Sequence, residues 1–328
     1  MNALRHLAGY WILLALLACS SIGCITPGYW YGDKLRTTND YPIPPDEDQF
    51  EHGRPNVVID SVGWVVGIPG KIMLWNRKID NHDISPETEQ VLRDYLAKNQ
   101  LDDVKVRVNQ YDPLGEWNRL FKTRQVGGGW RATLGTLSML GYTFLPGRIF
   151  GGDNYNPFTN TINLYSDHPA VALHEAGHSK DFAEHEWKGS YAALYLLPGG
   201  SLAIEGNATS DALSYLEAEE LYDLQAEAYR VLYPAYGTYV GSTINTLYAG
   251  PYSGAVALGS IIPGHIIGRM KARDSEAKQA AANREAEIAR REQEQIRQSL
   301  GDHHWNPPPG YSGNIAQRME PDDQESYR

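Results

Sequence analysis

The sequence predicts an α+β fold in which a few short strands accompany several helices. A helix is indicated at residues 84–100 (ISPETEQVLRDYLAKNQ), where Ser85 can cap the first turn and Pro86 fits at its start. Strands are indicated at residues 104–111 (VKVRVNQY), where polar and apolar residues alternate, and at residues 162–166 (INLYS). Apolar residues make up 42% of the chain and aromatic residues 11%, which excludes a largely disordered protein.

The charge and cysteine content exclude several classes of protein. Over 328 residues, 29 Lys and Arg against 40 Asp and Glu give a formal net charge of −11. This charge argues against broad, charge-driven binding to nucleic acid or to anionic lipid, so we expect no nucleic-acid partner. Two cysteines, Cys19 and Cys24, are too few for a disulfide scaffold or a cysteine-ligated zinc ribbon. Any metal ion must therefore be held by histidine and carboxylate side chains.

The first 18 residues are typical of a signal peptide. Arg5 supplies a positive charge, and the 11 apolar or small residues 7–17 are too few for a helix that spans a bilayer, which needs roughly 20. The segment Leu-Leu-Ala-Cys that ends at Cys19 resembles a bacterial lipobox, which implies cleavage before Cys19 and attachment of lipid to it. The sequence around Cys24 is a weaker candidate, and an ordinary secretory signal is the alternative. We therefore expect an exported protein of the bacterial cell envelope, anchored to the membrane through Cys19.

Composition divides the mature chain into four segments. Residues 19–55 are rich in Pro, Gly, Asp and Tyr without periodicity and are predicted to be a tether. Residues 56–268 carry the helix and strand patterns and are predicted to form the globular, catalytic domain. Residues 269–300 are predicted to form a charged, solvated helix, and residues 301–328 a disordered tail.

The segment 231–268 contains no Asp, Glu, Lys or Arg, and small residues recur in it at a spacing of four. The pairs are Gly237 and Gly241, Gly250 and Gly254, and Gly264 and Gly268. This spacing indicates close packing of helices or backbone. A membrane-embedded hairpin is one interpretation, but Pro234, Pro251 and Pro263 divide the segment into pieces shorter than a membrane span. A buried or surface-docking segment is the favoured interpretation.

Two consecutive helices are predicted in the middle of the chain. The first runs from about residue 169 to 188, with Asp167 ahead of Pro169 as its start signal and Gly189 after its end. The second covers about residues 201–216, and the helical spacing continues towards residue 232. The first helix therefore has a neighbour to pack against.

The first of these helices contains the string HEAGH, residues 174–178. Because a helix turns about 100° per residue, His174 and His178 lie about 40° apart on one face and can bind one ion. Glu175 points about 100° away from His174, beside such an ion, where it can accept a proton from water as a general base. Zn²⁺ suits two neutral imidazoles and a carboxylate, so the pattern predicts a hydrolytic zinc site. Two histidines that are merely packed in the fold are the alternative.

The third ligand is predicted to be Glu205, 27 residues after His178 on the next helix. At this point the sequence resembles the gluzincin metallopeptidases, which include thermolysin-like and HtpX-like enzymes. The resemblance covers residues 162–216 and implies a zincin-like core with zinc bound by His174, His178 and Glu205. Relatives usually have Glu-x-x-x-Asp at the third ligand. Here Ala208 fits, Thr209 takes the Asp position, and an acid follows only at Asp211.

Other third ligands stay open because spacing alone decides little for a distant ligand. Glu219, which has Asp223 four residues later, is the second candidate. Asp211 is a candidate either as a ligand or as a partner of a ligand histidine. The metzincin pattern would require glycine at 181 and a ligand at 184, whereas this chain has Asp181 and Glu184, with His185 one place late.

The strand at residues 161–164 resembles the edge strand that precedes the HExxH helix in this family. There, that strand pairs with extended peptide substrate, so we expect the same of this one. An ordinary interior strand is the equally weighted alternative.

These features predict a zinc-dependent metallopeptidase of the cell envelope that acts on a peptide or protein substrate. The motif itself indicates only metal-assisted attack by water, so other amide substrates stay open. The rival hypothesis is a non-catalytic scaffold or binding lipoprotein with a zincin-like fold.

Overall fold

A computed structural model describes residues 29–32, 43, 47–197, 199–247, 255 and 258–301. The predicted signal peptide, the Cys19 anchor and residues 302–328 of the predicted tail lie outside the described residues. The strands are β1 (Phe50–His52), β2 (Lys105–Val108), β3 (Asn154–Asn156) and β4 (Thr161–Leu164). The helices are α1 (Val57–Val66), α2 (Ile68–Leu74), α3 (Pro86–Lys98), α4 (Pro113–Lys122), α5 (Gly128–Trp130), α6 (Thr136–Phe144), α7 (Gly147–Phe150), α8 (Pro169–Glu184), α9 (Lys188–Ala192), α10 (Gly200–Ala218), α11 (Tyr222–Leu247) and α12 (Ile261–Gly301). A π-helical segment, Arg131–Gly135, precedes α6, and a 3-10 helix, Ala193–Leu196, follows α9. The predicted α+β class is confirmed.

The four strands form one mixed sheet in the order β1-β2-β4-β3. Strands β1, β2 and β4 are parallel, and β3 is antiparallel to β4. Of the two interpretations left open for residues 161–164, the interior strand is confirmed and the edge strand is not, because β4 lies between β2 and β3. All four residues of β4 and all four of β2 are buried, as expected of strands covered on both faces. The described sheet has β1 and β3 at its edges.

The two faces of the sheet differ in chemistry because side chains alternate along a strand. On one face Val106, Val108, Ile162 and Leu164 enter the main apolar core, which also includes residues of α3, α8, α10 and α11. On the other face the buried Arg107 binds Glu116 (Nε to Oε1, 2.8 Å) and Glu51 (Nη1 to Oε2, 2.6 Å). The apolar face therefore positions the helix that carries the HEAGH string. 

The first strand lies inside the segment that was predicted to be a tether. Strand β1 pairs with β2, and its Phe50 is 4% exposed, so the folded domain begins before residue 56. Farther upstream, the Tyr31 hydroxyl donates to Glu219 (2.6 Å), and Lys180 Nζ donates to the Trp30 carbonyl (2.5 Å). The tether prediction is wrong for these residues. The composition of this segment is typical of a tether, but the segment also contains aromatic side chains that pack against the core.

Helix α8 begins at Pro169, as predicted, but Asp167 is not the residue that caps it. His168 is the N-cap, and its side chain accepts from the Ala170 backbone N–H. Asp167 instead accepts from the Ser85 backbone N–H (2.9 Å) and from the Thr88 hydroxyl (2.6 Å) at the start of α3. Asp167 therefore joins the two helix N-termini, a role that its own neighbours in the sequence do not reveal.

Gly264 and Gly268 of the uncharged segment pack closely against backbone, as predicted, whereas the pair Gly250 and Gly254 lies outside the described residues. A Cβ on Gly264 would lie 2.5 Å from the Tyr233 carbonyl oxygen, and one on Gly268 would lie 2.3 Å from that of Tyr229. Helix α12 therefore approaches the backbone of α11 at these two positions. No single described helix is long and apolar enough to span a membrane, whereas α1 and α2 together pass that test as a pair bent by 47°.

The C-terminal helix is not solvated over its whole predicted length. It begins at Ile261, and Ala272 and Ser275 are buried. The Ser275 hydroxyl donates to Gln225 Oε1 on α11 (2.7 Å). The first compact unit accordingly extends to Gln279, beyond the predicted boundary at residue 268. In the second unit, which begins at Ala280, Glu287 pairs within the helix with Arg290 and Arg291.

Candidate metal centre

The HEAGH string lies in the buried part of α8. The helix runs through both histidines without interruption, so their rings lie one turn apart and meet edge to face, with centroids separated by 4.6 Å. His174 is 8% exposed and His178 is 5% exposed. Buried imidazoles need polar partners, and these two face one another and a carboxylate.

Helix α10 supplies that carboxylate because it approaches α8 very closely. A Cβ on Gly177 would lie 2.9 Å from the Ala208 carbonyl oxygen and 3.1 Å from the Ala208 Cα atom. Glycine in HEAGH therefore permits backbone contact between the two helices. Glu205, one turn before Ala208, is brought against both histidines.

The three predicted ligand atoms converge at one point. Glu205 Oε2 lies 3.0 Å from His174 Nε2 and 3.3 Å from His178 Nε2, and the two Nε2 atoms are 3.2 Å apart. Ligands bound tetrahedrally to Zn²⁺ at about 2.0–2.1 Å lie about 3.3 Å from one another. The donor set, its spacing and its burial fit a metal ion, and His174, His178 and Glu205 form a group that could hold one.

The charges in this group are strongly coupled. Burial opposes ionisation of Glu205, but hydrogen bonds with His174 and His178 outweigh it and hold the Glu205 pKa well below its usual range. Burial likewise opposes protonation of His178, but the hydrogen bond and charge of Glu205 raise its pKa. Glu205 is therefore an anionic carboxylate that stabilises a cation placed beside it, whether a proton on His178 or a metal ion.

Glu175 lies beside this group and takes no part in its contacts. Burial raises the Glu175 pKa, and the charges of His174 and His178 offset that effect only in part. The Tyr155 backbone N–H, on the edge strand β3, donates to the Glu175 carboxylate. A buried carboxyl group whose pKa is raised above its usual value is suited to accept and return a proton.

Glu175 also opens onto a cavity of about 120 Å³. Its polar lining comes from His174, Glu175, Thr209 and Asp153. Burial, together with the charge of Asp80, raises the Asp153 pKa to about 7. The apolar part of the lining comes from Leu74 on α2, Val171 on α8, and Val231, Leu232 and Ala235 on α11. The cavity is the space in which a reacting group could meet Glu175.

The other carboxylates that the sequence left open lie in different surroundings. Asp211, which was left open as a ligand or as a partner of a ligand histidine, instead binds Lys180 (Oδ1 to Nζ, 2.7 Å) and accepts from Tyr95. Glu219 binds Lys98 and Tyr31. The ring of His185 stacks on Tyr191, and its Nδ1 faces the Asp181 carbonyl. Neither these residues nor Glu184 belongs to the cluster of possible ligands found among the described residues.

Polar residues around the cluster were not all predictable from the sequence. The Tyr195 hydroxyl donates to Glu205 Oε1 (3.1 Å), and Tyr239 also hydrogen-bonds Glu205. These tyrosines lie 10 and 34 residues from Glu205 among 21 in the chain, and no local pattern distinguishes them. Thr209 lies 3.3 Å from His174 Nδ1, where the resemblance would place an aspartate.

Comparisons with protein-family models, with curated proteins and with solved structures found no match to this chain.

We expect Thr209→Val to weaken metal binding. Valine keeps the shape of threonine but removes the hydroxyl that can accept from His174 Nδ1–H and orient the ring. Loss of such an outer contact costs 10–100-fold in affinity, and at 3.3 Å the effect should be about tenfold. Titration with a competing chelator measures it. Thr209→Ser, which keeps the hydroxyl, is the matched control, and equal loss in both variants would contradict the role of the hydroxyl.

Proposed function

We propose that this protein is a zinc-dependent metallopeptidase with a zincin-like core. The observation that carries the proposal is the convergence of His174 Nε2, His178 Nε2 and Glu205 Oε2 at 3.0–3.3 Å, with the buried Glu175 beside them. The resemblance of residues 162–216 to gluzincins supports the same assignment. The predicted lipid anchor at Cys19 supports a location at the cell envelope for this activity.

His174, His178 and Glu205 would hold the ion, and Tyr195 and Thr209 would keep two of these ligands in position. When bound there, Zn²⁺ would supply Lewis acidity, which lowers the pKa of water to about 7 and polarises a carbonyl group. Two imidazoles and one carboxylate would supply three protein ligands, the number typical of catalytic zinc sites, and would leave room for water or substrate.

Glu175 is the proton-transfer residue of the proposed reaction. Its burial and raised pKa suit it to take a proton from water and return it to the leaving amine. Strand β3 ends the sheet directly beside it, because the Tyr155 N–H reaches the Glu175 carboxylate. The sequence resemblance assigned substrate pairing to the strand at 161–164. Because β3 is the edge strand instead, an extended peptide substrate could pair with β3 and present its carbonyl group to Glu175.

The test is cleavage of an unfolded protein substrate by the purified chain. We expect cleavage to stop when a chelator removes the metal, and to return when Zn²⁺ is added in excess of the chelator. A His174→Ala variant should bind no stoichiometric zinc and should not recover. Hydrolysis that is unaffected by chelation would contradict the proposal. Stoichiometric zinc with no hydrolysis of any substrate would favour a structural metal site instead.

A further inference from the structure

Helices α1 and α2 present an apolar face to solvent. We define the α1–α2 face as the outward side chains of this pair and the tryptophan that follows it: Val57, Val58, Val62, Val65, Val66, Ile72 and Trp75. Val57 and Val58 are 81% and 72% exposed, and Ile72 and Trp75 are 66% and 68% exposed. Soluble proteins seldom expose so many large apolar side chains side by side unless the surface binds something.

The charged residues of these two helices point the other way. Asp60 binds the Arg148 guanidinium (2.8 Å) and accepts from the Asn56 backbone N–H (2.9 Å). Lys71 is 7% exposed and donates to the carbonyl groups of Trp64 (3.0 Å) and Asp80 (3.1 Å). A helix on the surface of a globular domain normally has its apolar side against the core and its charges in water. In this pair the charged side chains face the domain and the apolar side chains face outward, as in a helix that lies in an apolar medium.

The border of the face is basic although the chain as a whole is acidic. Between residues 53 and 78 the charged side chains are Arg54, Asp60, Lys71, Arg77 and Lys78. With Asp60 and Lys71 turned inward, the three that remain exposed are all cations. Lys78 lies 3.9 Å from Asp167 and is still 54% exposed. In a chain of net charge −11, this local positive border is complementary to an anionic surface.

The dimensions of the pair indicate a position on a membrane surface. Its 10 and 7 residues, at 1.5 Å each, give lengths of about 15 and 10 Å, against the roughly 30 Å of a bilayer core. The two helices meet at a bend of 47°. Together they are as apolar as a segment that enters a membrane. The contacts of Asp60 and Lys71 keep it attached to the rest of the domain. Short apolar helices with a basic border are typical of segments that lie in the headgroup region.

We propose that the α1–α2 face docks onto the surface of a bilayer that contains anionic lipid. The tryptophans at positions 64 and 75 suit the headgroup region, because their rings are apolar and their N–H groups need a polar partner. A protein partner is less favoured, because the exposed charged side chains within residues 53–78 are all cations. Since Leu74 lines the cavity beside Glu175, docking would bring the candidate metal centre close to the membrane surface. This inference depends neither on the proposed peptidase activity nor on the Cys19 anchor.

The experiment measures binding of the chain from residue 19 onward, with Cys19→Ala so that no lipid is attached, to vesicles by flotation. One set of vesicles contains phosphatidylglycerol and phosphatidylcholine, and the other contains phosphatidylcholine alone. We expect Val62→Asp/Val65→Asp to reduce the partition coefficient on anionic vesicles at least about tenfold, because two charges enter the apolar layer. Arg77→Gln/Lys78→Gln should lower binding to anionic vesicles and leave binding to neutral ones unchanged.

Leu114→Asp is the matched control, because Leu114 is 82% exposed on α4 and lies outside the face. It should bind vesicles as the parent chain does, and circular dichroism and thermal unfolding should show that all variants fold. Vesicle binding that is absent, or equal in the parent chain and Val62→Asp/Val65→Asp, would overturn the proposal. A parent chain that is dimeric, ignores vesicles and becomes monomeric in Val62→Asp/Val65→Asp would also overturn it, in favour of a second copy on this face.

Discussion

Glu175→Gln is expected to lower kcat for peptide hydrolysis by about 10²–10⁴-fold, which is the usual contribution of a positioned general base. Glutamine has nearly the same shape and can still accept from the Tyr155 N–H, but its amide cannot take a proton from water at neutral pH. The metal should be retained, because the three predicted ligands converge on one another without Glu175. Single-turnover cleavage, with elemental analysis of the same preparation, measures both properties.

A second glutamate of α8 provides the control for this prediction. Glu184→Gln changes the same residue type on the same helix, but Glu184 lies outside the cluster of possible ligands. It should keep both metal and activity. If Glu175→Gln retained full activity, Glu175 could not be the proton-transfer residue and the proposed mechanism would be wrong. If it lost both metal and activity, the loss of activity would say nothing about proton transfer and the assignment of roles would fail.

Glu205→Gln is expected to reduce zinc affinity by more than about 100-fold, which exceeds the 10–100-fold cost of removing an outer contact. The neutral amide is a poor ligand for Zn²⁺, and it removes the negative charge that two hydrogen-bonded imidazoles hold in place. Zinc content after dialysis against a weak chelator should fall from about one ion per chain to none. Zinc should raise the Tm of the parent chain but not that of the variant, because a ligand stabilises only the state that binds it.

Glu219→Gln distinguishes the two carboxylates that the sequence offers as a third ligand. Glu219 binds Lys98 and Tyr31 at the surface, so its loss should leave zinc content unchanged. An exposed ion pair contributes at most about 1 kcal/mol, so the fold should also survive. Loss of zinc in Glu219→Gln with retention in Glu205→Gln would show that the third ligand is misassigned.

The sequence alone was sufficient for the part of the site that depends on local geometry. His174, His178 and Glu175 lie within five consecutive residues of one helix, and the turn of 100° per residue places the two imidazoles on one face whatever surrounds them. Glu205 was the preferred third ligand in the sequence analysis, and it does converge with the histidines. The pattern of charge and cysteine content also restricted possible metal ligands to histidine and carboxylate.

Local sequence patterns did not predict the contacts between segments that are distant in the chain. Asp167 looks like a cap for α8 but accepts from Ser85 and Thr88, 79 or more residues away. Asp211 looks like a partner of a ligand histidine but binds Lys180 and Tyr95. The strand at 161–164 looks like an edge but is interior, because residues 154–156 form a three-residue strand too short to show periodicity.

What the sequence by itself determined is therefore the α+β class, the HEAGH helix, and the type of ligand that could complete a metal site. The tertiary structure decided which carboxylate completes it, because that choice depends on the close approach of α8 and α10 at Gly177 and Ala208. It also decided which strand ends the sheet, which tyrosines hold Glu205, and that the charges of α1 and α2 turn inward. The periodicity of a sequence indicates which face of a helix or strand is apolar, but only the packing of the elements determines what that face contacts.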